Sequence, residues 1–152
     1  MKRFVVALTV VTGSAVLAAA QPAKEPYEPG LGEFMAATQL RHAKLWFAGR
    51  NRNWDLAAYE VDEIKEGLQD AAKLHPTHEG VPVAEMIKTI LDPRLDRLEK
   101  TVDAKDSAQF SVAFDALTDG CNSCHTRAGK PFIRIQRPSE LPVSNQNFAP
   151  AK

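Results

Sequence analysis

Apolar residues recur with a helical period along almost the whole stretch from Leu31 to Ala128, and this pattern restricts the chain to an all-α fold. Side chains three and four positions apart lie on one face of a helix, so each such run has one apolar face to bury. The sequence has only 7 Phe, 2 Tyr and 2 Trp, and this scarcity of aromatic residues argues against an all-β sandwich. We therefore expect one helical domain.

Turn-forming residues divide this pattern into four helices. Gly49 ends the first helix, and Asn53 is a suitable N-cap for the second. Pro76 ends the second helix, whereas Pro93 lacks a backbone donor and is expected to kink or split the third. Gly129 closes the fourth helix. The predicted helices span residues 31–49, 53–74, 83–102 and 106–128.

The connections between these helices are short, which predicts an antiparallel up-down-up-down four-helix bundle over residues 31–130. An extended leader, residues 21–30, precedes the bundle, and an extended proline-rich tail, residues 131–152, follows it. Three apolar residues of the tail are expected to form a short extended piece that packs against the bundle: Phe132, Ile133 and Ile135.

Residues 1–20 have the composition of a secretory signal peptide. Lys2 and Arg3 form a positive start, residues 4–11 are apolar, and small residues up to Ala20 supply a cleavage position. The alternative is a retained membrane anchor, but the apolar run is shorter than the roughly 20 residues that span a bilayer. The expected compartment is the periplasm, with no stable membrane insertion after the signal is cleaved.

The charge of the chain gives no indication of a polyanionic partner. The 19 Lys and Arg residues balance the 19 Asp and Glu residues, and cleavage of the signal removes Lys2 and Arg3 but no acid. The mature chain is therefore slightly acidic. No nucleic-acid partner and no polybasic membrane surface are expected.

The only 2 cysteines lie in the stretch GCNSCHTRAG, with the spacing C-x-x-C followed at once by His125. A structural zinc site needs four ligands, and a histidine from a distant loop would have to complete it. A redox dithiol of the thioredoxin type lies at the start of a helix, whereas Cys121 and Cys124 lie near the end of one. A disulfide within one helical turn is strained, and it leaves His125 without a role.

Covalent haem attachment accounts for all three residues of the motif. Two thiols one helical turn apart can add to the two haem vinyl groups, and the adjacent His125 is then the proximal iron ligand. Gly120 costs about 1 kcal/mol relative to Ala within a helix, and close approach of the haem is expected to explain it. We therefore predict one haem c, bound through Cys121 and Cys124.

A helical bundle with C-x-x-C-H on its last helix resembles the class II c-type cytochromes, the cytochrome c prime family. The resemblance covers residues 31–128 and rests on the architecture and on this one motif. It implies a distal residue on the first helix, which is a methionine in the low-spin relatives. The family usually has Arg or Lys four residues after the haem histidine, where this chain has Gly129. Related bundles often dimerise, so a homodimer is a further expectation from the resemblance.

The residue that faces the iron opposite His125 decides the function. The predicted topology brings four candidates to that end of the bundle: Met35, His75, His78 and Met86. Met35 is favoured because it lies on the apolar face near the start of the first helix; its alternative role is that of a core methionine. His42 lies two turns deeper on the same face, and it is either the alternative ligand or a hydrogen-bonded core histidine.

These residues predict a small electron-transfer cytochrome that exchanges electrons with periplasmic redox partner proteins. If the iron has no sixth ligand, the alternative is a five-coordinate protein that binds nitric oxide or carbon monoxide. A haem enzyme such as a peroxidase is not favoured, because the acid–base pair it needs would have to come from the consecutive helical residues Arg41 and His42. Five cations are candidate partners of the haem propionates: Arg41, Lys44, Arg127, Lys130 and Arg134.

Overall fold

The computed structural model describes residues 27–151, and the regular structure in that range is helical. The elements are α1 Leu31–Arg50, α2 Trp54–Leu74, α3 Val83–Met86, a π-helical turn Ile87–Leu91, α4 Asp92–Asp103 and α5 Ser107–Arg127. Because α3, the π-helical turn and α4 are continuous, the described residues contain four helical segments, close to the predicted bounds. The predicted signal peptide, residues 1–20, lies outside the described residues, and so do residues 21–26 of the predicted leader.

Side-chain caps fix the starts of α2 and α5. The side-chain oxygen of Asn53 accepts the backbone N–H of Leu56 at 3.2 Å. Asp106 Oδ1 accepts the backbone N–H groups of Ala108 and Gln109, each at 3.0 Å. These caps satisfy donors that have no partner within their own helix. The predicted N-cap at Asn53 is confirmed, and the fourth helix begins at Ser107, as the sequence indicated.

Pro93 changes the hydrogen-bonding pattern of the third helical segment. It is the second residue of α4 and has no backbone N–H to donate. In the turn before it, the N–H of Asp92 donates to the carbonyl of Ile87, which is the wider π-helical pattern. The prediction that Pro93 kinks or splits this helix is confirmed, because the α-helical pattern is interrupted immediately before the proline.

The helices pack mainly against their neighbours in the chain. α1 lies against α2, α2 against α4, and α4 against α5, while α1 and α5 touch over a smaller area. Each helix buries its apolar face in this way, and the fully buried side chains include Leu45, Ile64, Leu98 and Phe114. Within residues 27–151, no helix has the length and apolar character needed to cross a membrane.

Aromatic rings fill the core where α1 ends and where α2 and α5 begin. The ring of Trp46 lies 6.3 Å from that of Phe110 and 4.9 Å from that of Phe114. Trp54 meets Phe110 edge-on at 6.0 Å. Gly49 allows α1 to approach α5 closely, because a Cβ at this position would lie 2.2 Å from the Phe110 ring. We call Trp46, Trp54, Phe110 and Phe114 the aromatic cluster.

The tail after α5 forms neither helix nor strand over residues 131–151, yet it is attached to the helices at several points. Arg137 pairs with Asp115 through two contacts of 2.6 Å, and its guanidinium lies over the Trp46 ring at 4.6 Å. Phe148 is buried, and its ring lies 5.8 Å from that of Phe47. The tail therefore contributes side chains to the core.

The structure corrects one expectation about the tail. Phe132 was expected to pack against the helices together with Ile133 and Ile135, but its side chain is 78% exposed. Pro131 and Phe132 are the central residues of a turn, which the N–H of Ile133 closes by donating to the carbonyl of Lys130 at 3.0 Å. Ile133 and Ile135 line a cavity between the helices, whereas Phe132, the residue before Ile133, faces solvent.

Candidate functional site

A cavity of about 470 Å³ opens where α1 begins and α5 ends. Sites that hold a small molecule or a cofactor have volumes of about 300 to 1,000 Å³. The walls come from α1, α2, α3, the π-helical turn, α5 and the tail, and they are mostly apolar: Leu31, Leu68, Val83, Ile87, Leu91 and Ile135. These walls suit a ligand that is itself largely apolar.

Both cysteines of the C-x-x-C-H motif line this cavity from the last turns of α5. They are free thiols on one face of the helix. Burial and the neighbouring Cys124 raise the pKa of Cys121 to about 12, and burial also raises the pKa of Cys124. Redox dithiols have lowered thiol pKa values, so these two neutral thiols do not resemble such a centre.

A zinc centre has no assembled ligand set in the part of the chain that the structure describes. Within residues 27–151, no three His, Cys, Asp or Glu side chains lie close enough together to hold a metal ion. A structural zinc site needs four such ligands.

His125 lines the same cavity, and the tail holds its ring. Its Nδ1 lies 3.2 Å from the backbone carbonyl oxygen of Ile133. A carbonyl oxygen can only accept, so Nδ1 carries a proton, and in the neutral ring Nε2 then has the free lone pair. A metal-binding histidine almost always makes a second hydrogen bond of this kind, which fixes the ring and its tautomer. His125 is thus prepared to bind a metal through Nε2.

Four of the five candidate distal ligands line the cavity: Met35, His42, His78 and Met86. Met35 comes from α1 and Met86 from α3, so two different walls each supply a thioether. His75 does not line the cavity. Its Nε2 instead donates to the backbone carbonyl of Pro29 at 2.8 Å, which ties the residues before α1 to the end of α2.

His42 already has a hydrogen-bonding partner inside the core. It is only 4% exposed, and its Nε2 lies 2.8 Å from Thr118 Oγ1. The Thr118 hydroxyl donates to the carbonyl of Phe114 at 2.9 Å, so it accepts from His42, whose Nε2 carries the proton. Burial lowers the pKa of His42 to about 4, and the ring is therefore neutral at physiological pH. Iron ligation through Nε2 would require this hydrogen bond to break.

Of the five cations considered as propionate partners, only Lys130 lines the cavity. Its Nζ lies 3.0 Å from Glu79 Oε2. Arg41 instead pairs with Glu60 at 3.3 Å and with Glu63 at 2.7 Å, on the α1–α2 contact. The remaining three do not line it: Lys44, which lies 3.8 Å from Glu60, and the exposed residues Arg127 and Arg134.

Glu79 is a cavity residue that the sequence did not single out. It lies in a tight turn in which the backbone groups of His78 and Val81 exchange hydrogen bonds of 3.0 and 2.9 Å. Glu79 and Gly80 both have positive φ, at 50° and 80°. Residues other than glycine rarely adopt this conformation, and in this turn it directs Glu79 to the cavity wall beside Lys130. The Glu-Gly pair before Pro82 is the sequence signal that indicates such a turn.

Gly120 has a different role from the one that the sequence suggested. It does not line the cavity, and a Cβ at this position would lie 2.7 Å from Arg94 Cδ and 3.1 Å from Leu91 Cδ2. Gly120 therefore allows α5 to pack closely against the third helical segment. The expectation that haem approach explains this glycine is wrong.

The residues around the cavity fit a covalently bound haem in their chemistry. Two neutral thiols lie on one helix face, an imidazole has a free Nε2, and the walls are apolar with thioethers from two sides. Comparison with protein-family models, with curated proteins and with solved structures gave no match for this chain. The residues of the cavity and the sequence motif therefore carry the functional assignment.

Proposed function

We propose that this chain is a c-type cytochrome that carries one haem in the cavity and transfers single electrons. The supporting observation is that Cys121, Cys124 and the free Nε2 of His125 meet at the wall of one apolar cavity. When bound, the haem iron supplies reversible exchange of one electron. Cys121 and Cys124 would hold the group covalently, so that it cannot dissociate, and His125 would be its proximal ligand.

Met35 is the distal ligand that we favour. Its thioether lines the cavity from α1 and belongs to the partly buried shell around the core. A methionine ligand with a histidine ligand raises the reduction potential of a haem and suits an electron carrier. His42 stays the alternative distal ligand, although its Nε2 donates to Thr118.

The proposed architecture is an antiparallel up-down-up-down bundle of the cytochrome c prime type, with an extended C-terminal tail. One support is that the cavity is lined from the start of α1, the end of α2, the start of α3 and the end of α5. These ends lie together if successive helices run in opposite directions. A homodimer stays an expectation from the resemblance.

The proposed location is the periplasm. The support is the sequence of residues 1–20, together with the fact that haem attachment to C-x-x-C-H takes place after export. The partners are then periplasmic redox proteins that donate or accept one electron. Neither a nucleic acid nor a membrane surface is proposed as a partner, since the charges of the chain are balanced.

A gas-binding protein is the second candidate function. The apolar cavity walls favour it, because nitric oxide and carbon monoxide bind an open iron position in an apolar pocket. We propose no peroxidase-type enzyme activity. Arg41 pairs with Glu60 and Glu63 instead of facing the cavity, and the neutral His42 already donates its Nε2 proton.

The methionines of the cavity allow a matched experiment. The exported holoprotein and its Met35→Ala and Met86→Ala variants are compared by visible spectroscopy, oxidised and reduced, with and without carbon monoxide. We expect a low-spin wild-type spectrum, which Met35→Ala converts into a five-coordinate spectrum that shifts with carbon monoxide and which Met86→Ala leaves unchanged. A five-coordinate wild type supports the gas binder, and an unchanged Met35→Ala spectrum removes Met35 as the ligand.

A further inference from the structure

Asn122, the first variable residue of the C-x-x-C-H motif, binds the backbone of the tail with both ends of its side-chain amide. The N–H of Ile135 donates to Asn122 Oδ1 at 2.7 Å, and Asn122 Nδ2 donates to the Ile135 carbonyl at 2.9 Å. This paired arrangement uses the only backbone donor and acceptor of Ile135. The side chain is half-buried, so both hydrogen bonds are partly protected from water.

The chain between Asn122 and Ile135 is a closed loop with His125 inside it. Gly129 turns the chain with a φ of 71°. The N–H of Lys130 then donates to the carbonyl of His125 at 2.8 Å, and that of Ile133 donates to the carbonyl of Lys130 at 3.0 Å. The Ile133 carbonyl is in this way directed at His125 Nδ1, and Asn122 fixes the chain two residues later.

We propose that Asn122 is a positioning residue that holds the Ile133 carbonyl against His125 and so sets the reduction potential of the bound haem. The inference rests on the function proposed above. A hydrogen bond from Nδ1–H to a carbonyl makes the metal-binding Nε2 more basic, and outer partners of this kind tune a metal site. A more basic ligand favours the oxidised iron, so the bond between His125 and Ile133 lowers the potential.

Loss of the Asn122 amide removes the attachment of Ile135 without touching a residue that contacts the iron. The tail then moves away from α5 at this point, and water replaces the carbonyl at His125 Nδ1. His125 becomes a weaker donor, while Cys121, Cys124 and Met35 are unchanged. The potential is therefore expected to rise although the coordination and the visible spectrum stay the same.

The test compares the reduction potentials of the holoprotein and its Asn122→Ala, Asn122→Gln and Ser123→Ala variants. Asn122→Ala is expected to favour reduction about tenfold, which corresponds to about 59 mV for one electron. Asn122→Gln keeps both amide groups and is expected to shift the potential less. Ser123→Ala, at the other variable residue of the motif, is the matched control and is expected to keep the wild-type potential.

A second measurement follows the Nδ1 proton of His125 by nuclear magnetic resonance of the reduced protein. We expect its exchange with solvent to be faster in Asn122→Ala than in the wild type and in Ser123→Ala. A wild-type potential with unchanged proton exchange in the Asn122 variants overturns the inference and leaves the proposed function intact. A wild-type chain that attaches no haem overturns the proposed function itself.

Discussion

The two halves of α1 have the same apolar periodicity, but they lie in different surroundings. The second half contains a run of five buried residues that pack in the core with the aromatic cluster and the tail: Leu45, Trp46, Phe47, Ala48 and Gly49. The first half is only partly buried and lines the cavity with Leu31 and Met35. The two cysteines of α5, Cys121 and Cys124, line the same cavity as this first half of α1.

This contrast predicts that stability and the proposed haem binding depend on opposite ends of the molecule. Close-packed aromatic rings supply the buried area at one end, where each lost ring leaves a void. At the cavity end, side chains have fewer protein contacts, and the free energy of local opening is expected to be lower. Substitutions at the aromatic end are therefore expected to change unfolding, and those at the cavity end to change spectra and potentials.

The largest expected effect is that of Phe110→Ala in the aromatic cluster. Phe110 is 1% exposed and contacts Trp46, Trp54 and Phe114. Truncation of a buried Phe costs about 3–5 kcal/mol of unfolding free energy, which urea denaturation measures. The haem spectrum of the folded variant is expected to stay the same. If Met35→Ala destabilises the protein as strongly as Phe110→Ala does, the two ends do not differ as described.

A pH effect of similar size is expected from His42, which lies between the two ends. Its pKa is about 4 in the folded state against 6.5 for the free side chain. Below pH 6.5 the unfolded chain takes up a proton that the folded chain does not, so stability falls as the pH decreases towards 4. The loss from His42 alone amounts to about 3 kcal/mol.

The variant His42→Gln tests this effect by urea denaturation at a series of pH values. Gln can still donate to Thr118 but does not titrate, so the variant is expected to lose less stability between pH 6.5 and 4 than the wild type. Burial raises the pKa of Glu60 above its ordinary value of 4.5, so the contribution of Glu60 to stability falls as the pH rises, opposite to that of His42. Both proteins retain Glu60, and its effect cancels in the comparison. Parallel pH profiles would show that His42 titrates normally.

Replacement of either of two glycines by Ala is expected to change the stability by a smaller amount, in one case downwards and in the other upwards. In Gly49→Ala the new Cβ overlaps the Phe110 ring, and overpacking of this kind costs about 1–3 kcal/mol. In Gly67→Ala, within α2, the nearest atom is Thr38 Oγ1 at 3.9 Å, so the better helix propensity of Ala stabilises by up to about 1 kcal/mol. Thermal unfolding of both variants measures the difference. Equal changes in melting temperature would contradict close packing at Gly49.

The smallest effect on stability is expected for Lys130→Gln at the cavity end. Its ion pair with Glu79 is exposed, and such pairs contribute little to stability because solvent screens them. If Lys130 accompanies a haem propionate, loss of its charge favours the oxidised iron and lowers the reduction potential. Lys100→Gln, on α4 at the aromatic end, is the control. An equal shift of the reduction potential in both variants would mean that Lys130 does not accompany a haem propionate.

The sequence was sufficient to predict the four helical segments and to bring the two cysteines, Met35 and Met86 to one end of the helices, but it missed Glu79 and wrongly included His75 there. Helical period, Asn53 as a cap and Pro93 as a break act within a few residues. The spacing of C-x-x-C-H alone puts both thiols on one face of α5. Met35 and Met86 meet at one cavity as expected from the order and length of the helices.

The details that the sequence did not reveal depend on contacts between distant residues. Nothing near Asn122 indicates that its amide pairs with Ile135, because the path of the tail has no periodicity. Gly120 faces Arg94 of another helix, a contact that only the packed structure defines. The exposure of Phe132 depends in the same way on which side of the tail meets α5.

Covalent attachment of haem is the central claim, and one measurement tests it directly. The full chain is expressed in a bacterium that matures c-type cytochromes, purified from the periplasm, denatured, and its mass and haem absorbance are recorded. We expect one haem to remain on the denatured wild type and none on the double variant Cys121→Ala, Cys124→Ala. A denatured wild-type chain with the mass of the polypeptide alone and no haem absorbance would contradict the account.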